Sequence, residues 1–316
     1  MERMLHSTKF EAIAIVGQTA SGKAEIAVKI SRILRERGKE VELISCDSRK
    51  VYKYFDIGTA KPTQFLQEFR WHFIDVIEPD QNFSAKRFEK EGRKIIKEIK
   101  SAGKIPIVVG GTWLYIRALE RGFEDEPEDE NIRNQLEDIL KKEGKMGLWN
   151  LLKNLDPKAA EKIHPSDSYR VRRALEFKLK TGKSILDAHF KEDIGQRFPI
   201  LKVAIFRNKE EILKRIKSRV LKQIQRGLIE ETKMLYEKFG ETTPLLKSIA
   251  YWEPYLYITG KISFEDMINL MIKRNFRYSK YQVKVFSREG TLWFDEEEKL
   301  ISFAVDFCLN SEDFSF

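Results

Sequence analysis

Apolar residues occupy every position of 12–16, Ala-Ile-Ala-Ile-Val, and a glycine-bearing loop, Gly17–Lys23, follows. Helical spacing takes over from about Gly22 to Glu36 and stops at Gly38. A solid apolar run of this length bounded by turn residues predicts a buried strand, so the segment reads strand, loop, helix. The alternation repeats. Val41–Ser45 predicts a second strand, ended by Asp47-Ser48-Arg49, and Phe73–Ile77 a short third, ended by Glu78-Pro79-Asp80. Ser84 is placed to cap an amphipathic helix over 85–101, with apolar residues at 88, 95, 96 and 99. Ile105–Val109 predicts a fourth strand, apolar throughout as a central parallel strand is, and Gly110-Gly111-Thr112 turns it into another helix.

Strands alternating with crossover helices give an α/β fold with a doubly wound parallel sheet. Ligands of such sheets bind outside the carboxyl ends of the strands. Gly17–Lys23, Asp47–Arg49 and Gly110–Thr112 all fall at such ends, so they are expected to line one crevice.

The pattern changes after the acidic run Glu124–Glu130. Helical spacing without a strand covers 130–143, 146–155, 158–163 and 167–181, and a strand returns at Leu201–Phe206. This predicts an all-helical insertion over 123–199 within a core made of 1–122 and 200–316. Helices over about 209–239 and 263–285, an edge strand at Thr291–Phe294 and a closing helix complete the core.

The chain has 316 residues, 42% apolar, and a net charge of +9. That is enough apolar residue for a full core, and the charge fits a polyanionic partner without identifying it. Cys46 and Cys308 are the only cysteines, too few and too far apart for a zinc site or a disulfide framework. No window reaches the ~20 apolar residues of a membrane span, and Met1–His6 does not read as a signal peptide. The expectation is a cytoplasmic protein that meets no membrane and acts as a monomer.

The first loop carries chemistry. Gly17-Gln18-Thr19-Ala20-Ser21-Gly22-Lys23-Ala24 has the glycines and lysine of a P-loop, between a strand and a helix as that motif requires. Successive amides and the helix N-terminus point at phosphate oxygens, and the lysine adds a mobile charge. Position 24 departs from the motif. Ala24 stands where a Ser or Thr hydroxyl ordinarily holds Mg²⁺, so Mg²⁺ is expected as the cofactor but its protein ligands are left open.

Residues 45–63, Ser-Cys-Asp-Ser-Arg-Lys-Val-Tyr-Lys-Tyr-Phe-Asp-Ile-Gly-Thr-Ala-Lys-Pro-Thr, resemble the tRNA dimethylallyltransferase segment Asp-Ser-Arg-Gln-Val-Tyr followed by Asp-Ile-Gly-Thr-Ala-Lys-Pro. Further blocks agree in order: 74–80, Val109–Thr112, His164–Asp167, Arg173–Glu176, and Arg274-Asn275 with Gln282 and Phe286. The resemblance implies a P-loop NTPase-like fold with the helical insertion. It also implies transfer of a dimethylallyl group from dimethylallyl diphosphate to N6 of the adenosine beside the anticodon, in tRNAs reading codons that begin with U.

On this resemblance Asp47 is the general base, Arg219 and Lys23 hold the diphosphate with Gly17–Ala24, and Thr19 contacts the substrate. The anticodon stem-loop meets Asp47, Ser48, Arg49 and Lys50; Thr112; Arg133; Tyr169, Arg170, Val171, Arg172 and Arg173; and Lys247, Ser248, Ile249, Ala250, Tyr251 and Trp252. Three arginines within four residues suit phosphates, and Tyr169 suits base stacking.

Several positions depart from the family pattern. Besides Ala24, Lys50 replaces a common glutamine, Trp113 a common glycine, and Ala250 and Trp252 the glycine and arginine of Ile-Gly-Tyr-Arg. Residues 274–286 run one residue short and lack a tryptophan near their end. These departures imply a divergent member with weaker metal binding or altered tRNA contacts. An adenylate isopentenyltransferase, a nucleotide or small-molecule kinase and a tRNA-binding relative without catalysis are the competing readings. The helical insertion and the positive charge argue against the first, and the 45–63 segment against the second.

Overall fold

In the computed structural model, residues 9–122, 129–187, 198–240 and 244–310 are described. The chain divides into two compact units, one of 1–120 with 197–316 and the other Arg121–Gln196.

The first unit is built on six parallel strands: β1 (Ala12–Val16), β2 (Val41–Cys46), β3 (Trp71–His72), β4 (Ile105–Gly110), β5 (Ile200–Ile205) and β6 (Leu292–Phe294), in the order β3-β2-β4-β1-β5-β6. Register places Ile13 between Ile107 and Leu201, and Ile15 between Val109 and Val203. Both faces of the sheet are covered, which is why β1, β2, β4 and β5 are buried at every position.

The two faces sort by residue parity. Ile13 and Ile15 pack on α1 (Lys23–Glu36) and α11 (Glu297–Asn310) through Ile26, Ile30, Leu34, Leu300 and Ala304. Ala12, Ala14 and Val16 face the other layer. That layer holds α2 (Ala85–Ser101), α3 (Trp113–Arg121), α7 (Lys209–Gln225), α8 (Leu228–Phe239), α9 (Trp252–Ile258) and α10 (Phe264–Phe286).

The second unit contains α4 (Glu130–Leu155), α5 (Pro157–Lys162) and α6 (Ser168–Thr181), closed on a core of Leu136, Leu148, Leu152, Val171 and Leu175. Gly144, at φ 69 and ψ −166, breaks the helical path of α4 where the sequence pattern also breaks. The acidic run at 124–128 lies outside the described residues.

Three sequence expectations need correction. The third strand is Trp71–His72, and Phe73 and Asp75 have φ values of 60 and 56, which turn the chain out of extended geometry. Ile77 retains only an isolated bridge to Tyr52. The helix read as 209–239 is two, because Gly227 at φ 94 ends α7 and starts α8. The short helix α9 was not expected.

Candidate active site

β1 delivers Gly17–Gly22 in a turn that only a few residue types tolerate, with φ of 112 at Gly17, 62 at Ala20 and 95 at Gly22. Gly22 occupies the N-cap of α1 and offers no side chain to the first helical amides. Those amides are therefore left for an anion, the use to which such termini are put. Gln18, nearly buried, fixes the loop from outside: its amide group exchanges hydrogen bonds with the backbone of Arg207 at 2.9 and 3.2 Å.

Gln282 on α10 fixes it from the other side. Its Oε1 accepts from the Thr19 amide at 2.6 Å, and its Nε2 donates to the Gly111 carbonyl at 3.0 Å. Tyr278, one turn earlier, donates to the same carbonyl at 3.1 Å. The twin glycines after β4 follow from this closeness. A Cβ at Gly110 would collide with the Cys46 backbone and one at Gly111 with the Gln282 amide.

The resulting cavity, about 90 Å³, is lined by Thr19, Lys23, Asp47, Lys50, Arg219 and Gln282 among others. Three cations from separate elements thus face one carboxylate. Lys23 Nζ donates to the carbonyls of Gly17 and Gln18. Burial pushes its pKa down to about 7, helped by repulsion from Lys50 and Arg219. Burial also lowers Lys50 and Arg219, with Asp47 opposing the shift in both. Arg219 Nη1 donates to Thr19 Oγ1 at 3.1 Å, while its Nε is buried without a hydrogen-bond partner. Ser21 Oγ is likewise buried and unpartnered. Concentrated positive charge with unsatisfied donors is what an anionic ligand completes. A larger groove of about 740 Å³ runs along Lys90, Arg93 and Lys97 of α2, but it holds none of these groups.

Asp47 follows β2, and its Oδ1 accepts from the Arg49 amide at 2.9 Å, closing an Asx turn. Thr112 Oγ1 accepts from the Ser48 amide at 3.1 Å, so Thr112 braces the turn carrying Asp47. Arg49 is exposed.

The 52–61 stretch forms the scaffold beside the cavity. The Glu231 carboxylate accepts from the amides of Asp56, Ile57 and Gly58 at 2.9 to 3.2 Å. Gln223 Nε2 donates to the carbonyls of Ile57 and Gly58 at 2.8 and 2.9 Å. Lys61, 3% exposed, donates to the Tyr52 carbonyl and pairs with Asp56 and Asp75. Thr59 at the end of this scaffold lines the cavity.

The 247–252 segment belongs to the same scaffold. Tyr251 is fully buried and donates to Glu231 Oε1 at 2.6 Å while accepting from the Gly58 amide at 3.1 Å. Its side chain cannot reach RNA. Ser248 and Ala250 are nearly buried too, and Ala250 sits at φ 75, a backbone conformation suited to the glycine it replaces. Trp252 stacks on Tyr255 at 5.3 Å, and Ile249 packs against the core. Lys247 is exposed.

In the helical unit, Tyr169 is 73% exposed, whereas Val171 is fully buried and faces the core. Val171 therefore makes no side-chain contact with a ligand. Arg133, Arg172 and Arg173 gather around the carboxylate of Glu176, itself 6% exposed, at 3.6 to 3.9 Å. Arg172 also donates to Glu137 at 3.2 Å. Arg170 pairs with Asp167 at 3.5 Å with its side chain largely in solvent.

Sequence reasoning had not assigned Gln282 and Tyr278 to the site. The signal was present: Asn275, Ser279 and Gln282 are polar residues on the buried stripe of α10 between Met271 and Phe286. Polar side chains on such a stripe must find partners.

A family model described as IPP transferase matches residues 50–289. The chain is 44% identical to a tRNA dimethylallyltransferase of Fervidobacterium nodosum, over 90% of both chains. It is 39% identical to the enzyme of that name from Thermotoga maritima, over 93% of both. Among solved structures, the tRNA isopentenylpyrophosphate transferase of Bacillus halodurans superposes with a TM-score of 0.68 at 31% identity, over 97% of each chain. A eukaryotic dimethylallyltransferase acting on tRNA gives 0.74 at 28% identity, over 95% of this chain and 79% of that one. The chain belongs to the IPP transferase family.

Proposed function

We propose that this member of the family is a tRNA dimethylallyltransferase. It moves the dimethylallyl group of dimethylallyl diphosphate onto N6 of the adenosine beside the anticodon. The observation that carries this reading is the single cavity in which Lys23, Lys50 and Arg219 surround Asp47 at the carboxyl ends of β1, β2 and β4.

The reaction joins N6 to C1 of the dimethylallyl group as the C1–O bond breaks. The bonding electrons leave with the diphosphate, and N6 gives up one proton. Cations fixed in place before reaction stabilise the charge that gathers on the departing oxygen. Lys23, the amides of Gly22–Ala24 and the Arg219 guanidinium, which suits paired phosphate oxygens, fill that role. Asp47 accepts the N6 proton, its orientation held by the Arg49 amide and braced by Thr112. The reacting groups line a recess, which a base held in a stack does not reach, so the target nucleotide is turned out of its stack.

The residues do not fit a metal held by protein. Ala24 has no side-chain oxygen to offer, and the described residues contain no group of three carboxylates, cysteines or histidines placed to bind a cation. Mg²⁺ enters this reading only as an ion carried by the diphosphate with most of its waters. No step is routed through it.

Exposed Tyr169 and Arg170 in the helical unit, with Arg49 and Lys247 in the core unit, are the side chains we assign to the anticodon stem-loop. We take the enzyme to act as a monomer, and no helix among the described residues is long and apolar enough to cross a membrane. We place the enzyme in the cytoplasm with its tRNA.

The test is incubation of purified protein with dimethylallyl diphosphate and Mg²⁺ together with either unmodified tRNA or AMP, followed by mass spectrometry of the nucleosides. Dimethylallyladenosine in tRNA alone is expected. Modified AMP, or phosphorylation of an acceptor when ATP is offered, overturns the reading.

A further inference from the structure

We propose that Lys50 is a third cationic ligand of the diphosphate, supplying at the leaving group charge that a P-loop hydroxyl would otherwise recruit as a bound metal. This deepens the reading of the cavity as a diphosphate ester site and rests on it.

Two observations meet here. At position 24 the loop has a methyl group where the motif has a metal-ligating hydroxyl, and Asp47 is the one carboxylate lining the cavity. The metal contribution of the protein is thus reduced. In the same cavity the turn after β2 adds a lysine to the lysine of α1 and the arginine of α7.

Bringing three cations together is costly without an anion. Asp47, the one carboxylate in the lining, carries a single negative charge and so balances one of them. Among the described ion pairs within 4 Å, Lys50 takes no partner, and neither do Lys23 and Arg219. A counter-ion for Asp47 calls for one basic group rather than three, and Lys23, lowered to about 7 in the free cavity, regains its full charge beside a diphosphate. The excess is accounted for by a ligand carrying more than one negative charge, and a diphosphate is such a ligand. An ammonium needs no coordination sphere, so it serves where Ala24 cannot fix a metal. In the transfer step Lys50 moves no proton. It stabilises the electron pair that leaves with the diphosphate oxygen when C1–O breaks.

The experiment is calorimetric titration of the full chain with inorganic pyrophosphate, in buffer containing chelator and again with Mg²⁺, for wild type, K50Q and K50R. Wild type should bind pyrophosphate without Mg²⁺. K50Q should bind about 10- to 100-fold more weakly in chelator, the range for one charge-assisted contact, and Mg²⁺ should recover more of its affinity than it adds to wild type. K50R, keeping the charge, should retain most of the binding. K50M serves as the neutral variant if circular dichroism shows K50Q unfolded. Equal pyrophosphate affinity in wild type and K50Q overturns the assignment. So does a loss confined to kcat, which makes Lys50 a partner of Asp47 instead. Wild type that binds no pyrophosphate under either condition sinks the diphosphate reading of the cavity itself.

Discussion

Gln282 accepts the Thr19 amide at 2.6 Å across 263 residues of chain, and the same side chain holds the Gly111 carbonyl. One amide group therefore sets the distance between the P-loop and the end of β4. Gln282→Leu leaves the half-buried Thr19 amide without its partner and should cost about 1 kcal/mol of stability, the low end of the penalty for an unsatisfied polar group. Pyrophosphate affinity should fall with it. Thermal denaturation and calorimetry on the same variant check both; unchanged melting would mean Thr19 is satisfied by water.

Asp47→Asn keeps the shape of the turn and removes the proton acceptor. Single-turnover transfer should slow by about 10²–10⁴-fold, the usual contribution of a positioned base. Pyrophosphate should bind at least as tightly, because a negative charge has left the cavity. Rapid-quench rates near wild type would remove Asp47 from the role of base.

Lys23 gives a pH signature. Burial lowers it from the ordinary 10.5 to about 7, so folding loses stability as pH falls from the upper value toward the lower. A bound diphosphate favours the ammonium and raises that pKa. Above pH 7 the free lysine has shed its proton, so binding must take one up, and affinity declines as pH rises. At pH 8 the uptake should approach about one proton per dimethylallyl diphosphate, read by calorimetry in two buffers of different ionisation enthalpy. Lys23→Met should abolish the uptake. A wild type with no uptake at pH 8 contradicts this placement of charge.

Ala24→Thr restores a hydroxyl at the first turn of α1. The Mg²⁺ activation curve should shift to lower concentration, by about 1–2 kcal/mol for one polar contact to a charged group, while tRNA affinity stays unchanged. Activity measured against Mg²⁺ for both proteins decides it. Superimposed curves would show that position 24 does not touch the ion.

For RNA, the structure separates exposed arginines from tethered ones. Arg170→Gln should lower the slope of log affinity against log salt by about 0.7–0.9, the value of one phosphate contact, and leave pyrophosphate binding intact. Neutralising Arg172 and Arg173 should instead lower melting temperature, because Glu176 would lose two of the partners around its buried carboxylate. An unaltered salt slope in Arg170→Gln returns that residue to the status of a solvated charge.

The sheet was legible because β1, β4 and β5 are apolar at nearly every position, a pattern that double-sided burial requires. The phosphate loop was legible because its glycines carry backbone geometry as well as sequence. Less could be read where a residue acts against its type. Lys61 and Glu231 are charged residues that serve as interior pins, and nothing local announces partners that lie, for Glu231 and Gly58, 173 residues apart. The 45–63 block identified the family, yet much of it supports the cavity from outside. Tyr251 fell among the expected tRNA contacts because exposure is invisible in a sequence. Val171 sat in an arginine-rich run whose helical phase turns it inward.

The pins on the N-terminal loops come late in the chain. Gln223, Glu231, Tyr251, Tyr278 and Gln282 all follow the helical insertion, while the loops they hold end by Thr112. During synthesis the ribosome therefore releases the P-loop, Asp47 and the twin glycines long before these five side chains can pin them. Until α10 emerges the cradle lacks its Gln282 and Tyr278 pins. A fragment truncated before α10 keeps the phosphate motif intact in sequence but lacks the side chain that ties it to the end of β4.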